Sequence, residues 1–234
     1  MPTTPPDNVQ LVSSGPAFDS AGLIHRVRYP ANFEPGKAYP TLVMTHGLQG
    51  NEDVTWIFAR QAGPNWLIVT PRGPFPDNGG YSWYKVMTDS DGRSQIEGDT
   101  YQTGETALRR FIDALPLIYP VDRSRLVLLG FSQGAAMSYG FAAAHPVAGV
   151  AALGGFLPRP LLGTDGALGG LKGLPVLILH GTEDPTIPVT RARKDRDKLI
   201  EAGAAVTYHE SEVGHKVSAS GMRELGHWLS ERLG

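Results

Sequence analysis

The stretch from Leu126 to Met137 restricts the possible folds more than any other part of the chain. It reads Leu-Val-Leu-Leu-Gly-Phe-Ser-Gln-Gly-Ala-Ala-Met. An apolar run with strand character meets Gly-x-Ser-x-Gly, and a small-residue stretch with helical character follows. Passing from strand to helix through so few residues demands a tight turn. Side chains two before and two after Ser132 would collide with the backbone there, and Gly130 and Gly134 occupy those two positions. Such a turn lifts the hydroxyl clear of the sheet edge. It also sets the serine at a helix N-terminus, whose dipole favours developing negative charge. A serine that only caps a helix after a glycine turn is the competing interpretation.

The rest of the chain supplies a sheet for that turn. Residues 42–45, 66–70, 126–129, 149–153 and 176–179 are short apolar runs. Each is bounded by Gly or Pro or leads into a polar loop. Runs apolar on both faces suit parallel strands covered by helices on both sides. Residues 24–29 alternate in polarity, which predicts an outer antiparallel strand. Helices are expected at 100–117, 132–144, 189–202 and 217–233, the first with a stripe of Ala107, Leu108, Phe111, Ile112 and Leu115. Asp99 with Gln102 predicts a capping box for that helix. Strands alternating with helices indicate an α/β fold with a mostly parallel sheet. Residues 1–20 are expected to form an N-terminal extension and 21–234 one domain. Segments 71–98 and 154–173, the latter with seven glycines, are expected as irregular loops at the carboxyl ends of strands, where such folds bind ligands.

A serine hydroxyl is a weak nucleophile and needs a base, and the base needs a third group to orient it. With this turn the partners follow in the order serine, acid, histidine. The acid is expected at Asp184, in a proline-stiffened loop after the run 176–179, with its neighbour Glu183 as rival. The base is expected at His215, between the last strand and the last helix, with His209 as competitor. The oxyanion of a tetrahedral intermediate needs two backbone N–H donors. Gln133, next after the serine, supplies one. The loop after 41–45, His46-Gly47-Leu48-Gln49-Gly50, supplies the other at Leu48. His46 then shapes that loop and does not act as the base.

Net charge of −2 argues against an electrostatic grip on nucleic acid or anionic lipid. The chain has no cysteine, which excludes disulfides, thiolate catalysis and cysteine-ligated zinc. No run approaches the roughly 18 apolar residues of a membrane span. Residues 1–10 are polar and proline-rich, unlike a secretory signal. A cytoplasmic protein with no stable membrane insertion is expected. With its own nucleophile, base and oxyanion donors, the site is expected to use neither metal nor cofactor.

Four segments together resemble the phospholipase/carboxylesterase family of α/β-hydrolases, the group that includes acyl-protein thioesterases. His46-Gly47-Leu48 is similar to its oxyanion loop and Gly130-Phe131-Ser132-Gln133-Gly134-Ala135-Ala136 to its nucleophile motif. Residues 152–158 resemble the strand and loop that follow, and residues 180–188 with Gly214-His215 the acid and base segments. The resemblance implies a single-domain α/β-hydrolase fold and a serine carboxylesterase acting on a small-molecule ester of short or medium chain length. An acyl-protein thioesterase or lysophospholipase, or a specialised acetyl or feruloyl esterase, is the alternative. It further implies that Trp83 and Leu157 wall an open substrate groove.

Overall fold

The computed structural model describes residues 8–88, 91, 94–163 and 166–232. The chain begins with β1 (Gln10–Val12), α1 (Gly15–Ala21), β2 (His25–Arg28), β3 (Tyr39–Thr45), α2 (Trp56–Ala62) and β4 (Leu67–Pro71). Short strands β5 (Phe75–Asp77), β6 (Gly80–Ser82), β7 (Val86–Thr88) and β8 (Ser94–Ile96) precede α3 (Thr100–Ile118). Then come β9 (Val121–Phe131), α4 (Gln133–Ala144), β10 (Gly149–Leu153), β11 (Pro175–Gly181), α5 (Val189–Glu201), β12 (Ala205–Ser211) and α6 (Ala219–Ser230).

The main sheet has eight strands in the order β1-β2-β4-β3-β9-β10-β11-β12. From β4 to β12 all neighbours are parallel, while β2 pairs antiparallel with β4. The α/β fold with a mostly parallel sheet read from the sequence is therefore present, and so is the antiparallel strand expected at 24–29. Residues 10–12, within the segment expected as an extension, pair antiparallel with β2.

Strand geometry explains why these runs are almost entirely apolar. Alternate side chains leave opposite faces of a sheet. Val43, Leu128, Val150 and Ile178 join one core, beneath α1, α3, α4 and α5. Their neighbours Leu42, Val127, Ala151 and Leu177 join the other, beneath α2 and α6. With both faces covered, a polar side chain on these strands must find a buried partner, as Thr41, Thr45, Thr70 and His180 do through hydrogen bonds to backbone carbonyls. Each fully buried Leu or Val contributes about 1.5–3 kcal/mol from burial.

Two local expectations are corrected. Asp99 stands at the N-cap of α3, but its side chain makes no capping bond. Its φ of −93° and ψ of 14° differ from the extended conformation that aims a cap oxygen at the helix amides. Segment 71–98 is not irregular: β5 pairs with β6 and β7 with β8 as two hairpins. The first turns through Asn78 and Gly79, with φ of 43° and 83°, the pair of positive values a type I′ turn requires. Segment 154–173 is closer to expectation, since its only helical pieces among the described residues are single 3-10 turns at Arg159–Leu161 and Gly169–Leu171.

Candidate active site

The turn between β9 and α4 is tight, as the sequence requires, and it is strained. Ser132 has φ 53° and ψ −116°, a region that L-residues occupy only when the surroundings force them. A Cβ on Gly130 would lie 2.4 Å from the Ala135 backbone, and one on Gly134 would lie 2.2 Å from the Thr45 carbonyl oxygen. Both contacts are impossible, so glycine is required at each by close approach. The Ser132 amide donates to the Leu153 carbonyl at 2.9 Å, which ties the turn to the end of β10.

The loop after β11 holds Asp184, and the loop after β12 holds His215. The carboxylate of Asp184 is nearly out of solvent and fully engaged. One oxygen accepts the amides of Thr186 and Ile187 at 2.8 and 2.9 Å, and the other pairs with His215 Nδ1 at 2.6 Å. Burial pushes this carboxyl up, but the bonds from His215, Ile187 and Thr186 outweigh it and hold it below its ordinary value. Ionised Asp184 can only accept, so Nδ1 of His215 carries the proton and Nε2 is left as an acceptor. Glu183 is exposed and offers its backbone amide to Val213. His209 stays on β12, where Nε2 lies 3.2 Å from Ser220 Oγ.

Ser132, His215, Leu48 and Gln133 line one cavity of about 490 Å³. Tyr84, Val86, Ile96, Phe156, Ile187 and Arg191 form much of its remaining wall. The structure thus gathers the expected nucleophile, base and both expected oxyanion positions, with Asp184 behind the base. The 46–50 loop packs directly on the serine: a Cβ on Gly47 would sit 3.3 Å from Ser132 Cβ. A second cavity of about 440 Å³ lies on the other side of Leu48 and His215, lined largely by Val54, Ile57, Phe58, Val217 and Met222.

Trp83 and Leu157 do not reach the groove. Both are fully buried. The Trp83 indole N–H donates to the His46 carbonyl at 3.0 Å, so this tryptophan braces the 46–50 loop from behind. His46 braces it as well. It accepts the Gly73 amide at Nε2 (2.8 Å), and its Nδ1 lies 2.7 Å from the Gly47 carbonyl. Burial pushes its pKa down to about 4 against the smaller effect of that carbonyl, which keeps the ring neutral.

The side chain of Gln133 has a function its place in the motif does not reveal. Its Oε1 accepts the Trp83 amide and its Nε2 donates to the Tyr84 carbonyl, each at 2.8 Å. The walls formed by Val86 and Ile96 lie on paired strands of the second hairpin. Their sequence signal is Asp91-Gly92 between two short runs, a pattern typical of hairpins. Arg191 and Phe156 carry no such signal. No group of three or more His, Asp or Glu side chains arranged to hold a metal occurs among the described residues.

The profile of the phospholipase/carboxylesterase family matches residues 33–233. The acyl-protein thioesterase 1 of Schizosaccharomyces pombe is 29% identical over 172 residues, covering 68% of this chain and 75% of that protein. The Bacillus cereus carboxylesterase structure superposes with a TM-score of 0.78 at 22% identity, covering 92% of this chain and 97% of the other. A Mesorhizobium loti carboxylesterase structure gives 0.75 at 23% identity, covering 96% and 99%. At these identities the two structures testify to a shared fold.

Proposed function

The chain belongs to the phospholipase/carboxylesterase family of α/β-hydrolases, and on that premise we propose that it is a serine carboxylesterase with Ser132, His215 and Asp184 as its triad. The observation that carries this reading is the 2.6 Å contact between Asp184 and Nδ1 of a histidine that shares a cavity with Ser132.

The chemistry follows from the proton inventory. Asp184 stays ionised and keeps the proton of His215 on Nδ1. Nε2 then takes the Ser132 proton as Oγ bonds to the ester carbonyl carbon. The carbonyl electron pair moves onto oxygen, and the amides of Leu48 and Gln133 stabilise that charge. The tetrahedral species collapses, the carbon–alkoxy bond breaks, and His215 gives its proton to the departing alcohol. Water, activated by the same imidazole, releases the acid from Ser132. The cavities on either side of Leu48 and His215 offer room for the two halves of a short- or medium-chain ester.

The direct test is Ser132→Ala. Loss of a triad member costs roughly 10⁴-fold or more in rate, and the variant should also lose labelling by a fluorophosphonate while melting as the parent does. Persistent esterase activity in pure Ser132→Ala protein would refute the assignment. Thioester cleavage is the second reading, supported by the likeness to the S. pombe thioesterase. The same machinery attacks either carbonyl, so kcat/KM on oxygen and sulfur esters of one acyl chain separates the two.

A further inference from the structure

The cavity beside Ser132 has an electrostatic character that ester cleavage does not require. Its described lining includes two guanidinium side chains, Arg159 and Arg191, and no carboxylate. Arg191 lies in the first turn of α5 and is held from two directions. Its guanidinium stacks on the Phe156 ring at 4.3 Å from the centroid, and Nη2 donates to the Leu157 carbonyl at 3.1 Å. The carboxylate nearest to it among the described residues is Asp195, with Nε and Oδ2 3.9 Å apart, too far for a hydrogen bond. That oxygen already accepts the Leu157 amide at 2.8 Å.

A guanidinium has five N–H donors, and one bond to a carbonyl leaves most of them for another acceptor. The Arg191 side chain is 39% exposed, so an incoming group can reach it. Stacking and the Leu157 bond restrict its orientation in advance, which lowers the entropy lost on binding. A residue serving only to clip Leu157 would not need to face the cavity of the nucleophile, nor to share it with a second arginine. The described lining of the cavity across Leu48 and His215 presents no guanidinium; its one Lys or Arg is Lys216, among mostly apolar neighbours. Guanidinium groups therefore mark the cavity beside Ser132 and not its neighbour.

We propose that Arg191, with Arg159 adding positive charge, forms an anion subsite, so that the preferred ester carries a second, negatively charged group, a carboxylate or a phosphate monoester. This rests on the esterase reading of Ser132. The reaction is ordinary hydrolysis: water adds across the ester bond, and the anion leaves unchanged on the acid or the alcohol product.

The test compares kcat/KM for matched pairs. One arm sets 4-nitrophenyl hydrogen glutarate against its neutral methyl ester, which places the charge on the acyl side. A second sets the butyryl ester of 4-hydroxybenzoate against that of 4-hydroxybenzamide, with the charge on the alcohol side. A third replaces the benzoate by a phenyl phosphate. Charge-assisted bonding of this kind corresponds to roughly a ten- to hundredfold preference. The anionic ester should win by at least tenfold in one arm. The ratio should collapse in Arg191→Gln and recover partly in Arg191→Lys, which keeps the charge without the fork. If Arg191→Gln does not fold, Arg159→Gln and Arg191→Lys must lower the same ratio. No preference in any arm, or a preference unmoved in these variants, overturns the subsite. If neutral esters are still cleaved and Ser132 still takes a fluorophosphonate, the esterase reading survives that failure. If neither occurs, both fall together.

Discussion

On the proposed esterase reading, Ser132 depends on the single proton that Asp184 holds on His215. The 2.6 Å contact sets the tautomer, and the two amides on the other oxygen of Asp184 keep the carboxylate from rotating away. His215→Gln should therefore reduce kcat by about 10⁴-fold, because no nitrogen remains to take the serine proton. His209→Gln should keep most of the activity, because His209 meets Ser220 and is not among the residues lining the Ser132 cavity. Steady-state rates of the two pure variants decide the matter, and the reverse order would move the base to His209.

At the level of elements, the first hairpin and the 46–50 loop behave as one assembly. Tyr81 donates its amide to the Gly50 carbonyl at 2.7 Å, and the Gln49 amide donates to Ser82 Oγ at 3.2 Å. A Cβ on Gly80 would lie 2.0 Å from the Gln49 carbonyl oxygen, a measure of how closely the first hairpin is applied. Behind it, Glu52 grips Arg72 through two bonds of 2.5 and 2.6 Å, and Arg72 lies over the Tyr81 ring. Gln133 joins this assembly to the nucleophile helix. Gln133→Ala leaves a buried amide and a buried carbonyl without partners, at about 1–3 kcal/mol each. Thermal unfolding should shift down by several degrees. kcat should fall roughly 10- to 100-fold as the oxyanion loop loses its register, although the Gln133 backbone N–H is retained. An unchanged kcat would show that the hairpins stand without this link.

For the whole molecule, acid is the sensitive direction. The native pKa of His46 is pushed down to about 4, against an ordinary value near 6.5 in the unfolded chain. Between those values the unfolded chain binds a proton that the native state does not, so stability is complete above the upper value and declines as pH falls towards the lower. Burial pushes His25 the same way. Further down, bonding to Arg193 holds Glu210 near 2, and Glu52 and Asp184 are depressed as well. Asp195, raised by burial, opposes them. Tm by calorimetry should fall steadily from about pH 6.5 to 4 and continue downward below it; a flat profile over that range would contradict the buried, neutral His46. A second whole-molecule property is access. Between β10 and β11 the described residues form single 3-10 turns and no longer helix, so nothing resembling a helical cap is built there. Rate against concentration of a medium-chain ester should saturate smoothly through its solubility limit, and a jump as droplets form would reveal a closing cover.

Much of this was legible in the chain because local rules dictate it. Gly130 and Gly134 flank Ser132 since the turn has no space for Cβ atoms, and the apolar runs had to be central strands since both their faces are covered. The order of Ser132, Asp184 and His215 could be read for the same reason: each follows a strand end. The first hairpin has a turn signal in Asn78-Gly79, but the Gly and Pro content of segment 71–98 argues for irregular loop, and only the structure shows its paired strands. What only the tertiary structure decided is which side chains line the cavity beside Ser132. Trp83 and Leu157 looked like groove walls in a linear reading, yet Trp83 turns inward to the His46 carbonyl and Leu157 is buried above Asp195. Phe156, Val86, Ile96 and Arg191 line the cavity instead. The difference between one residue and the next in a loop is a rotation about the backbone, and packing against distant segments sets that rotation, as no local pattern does.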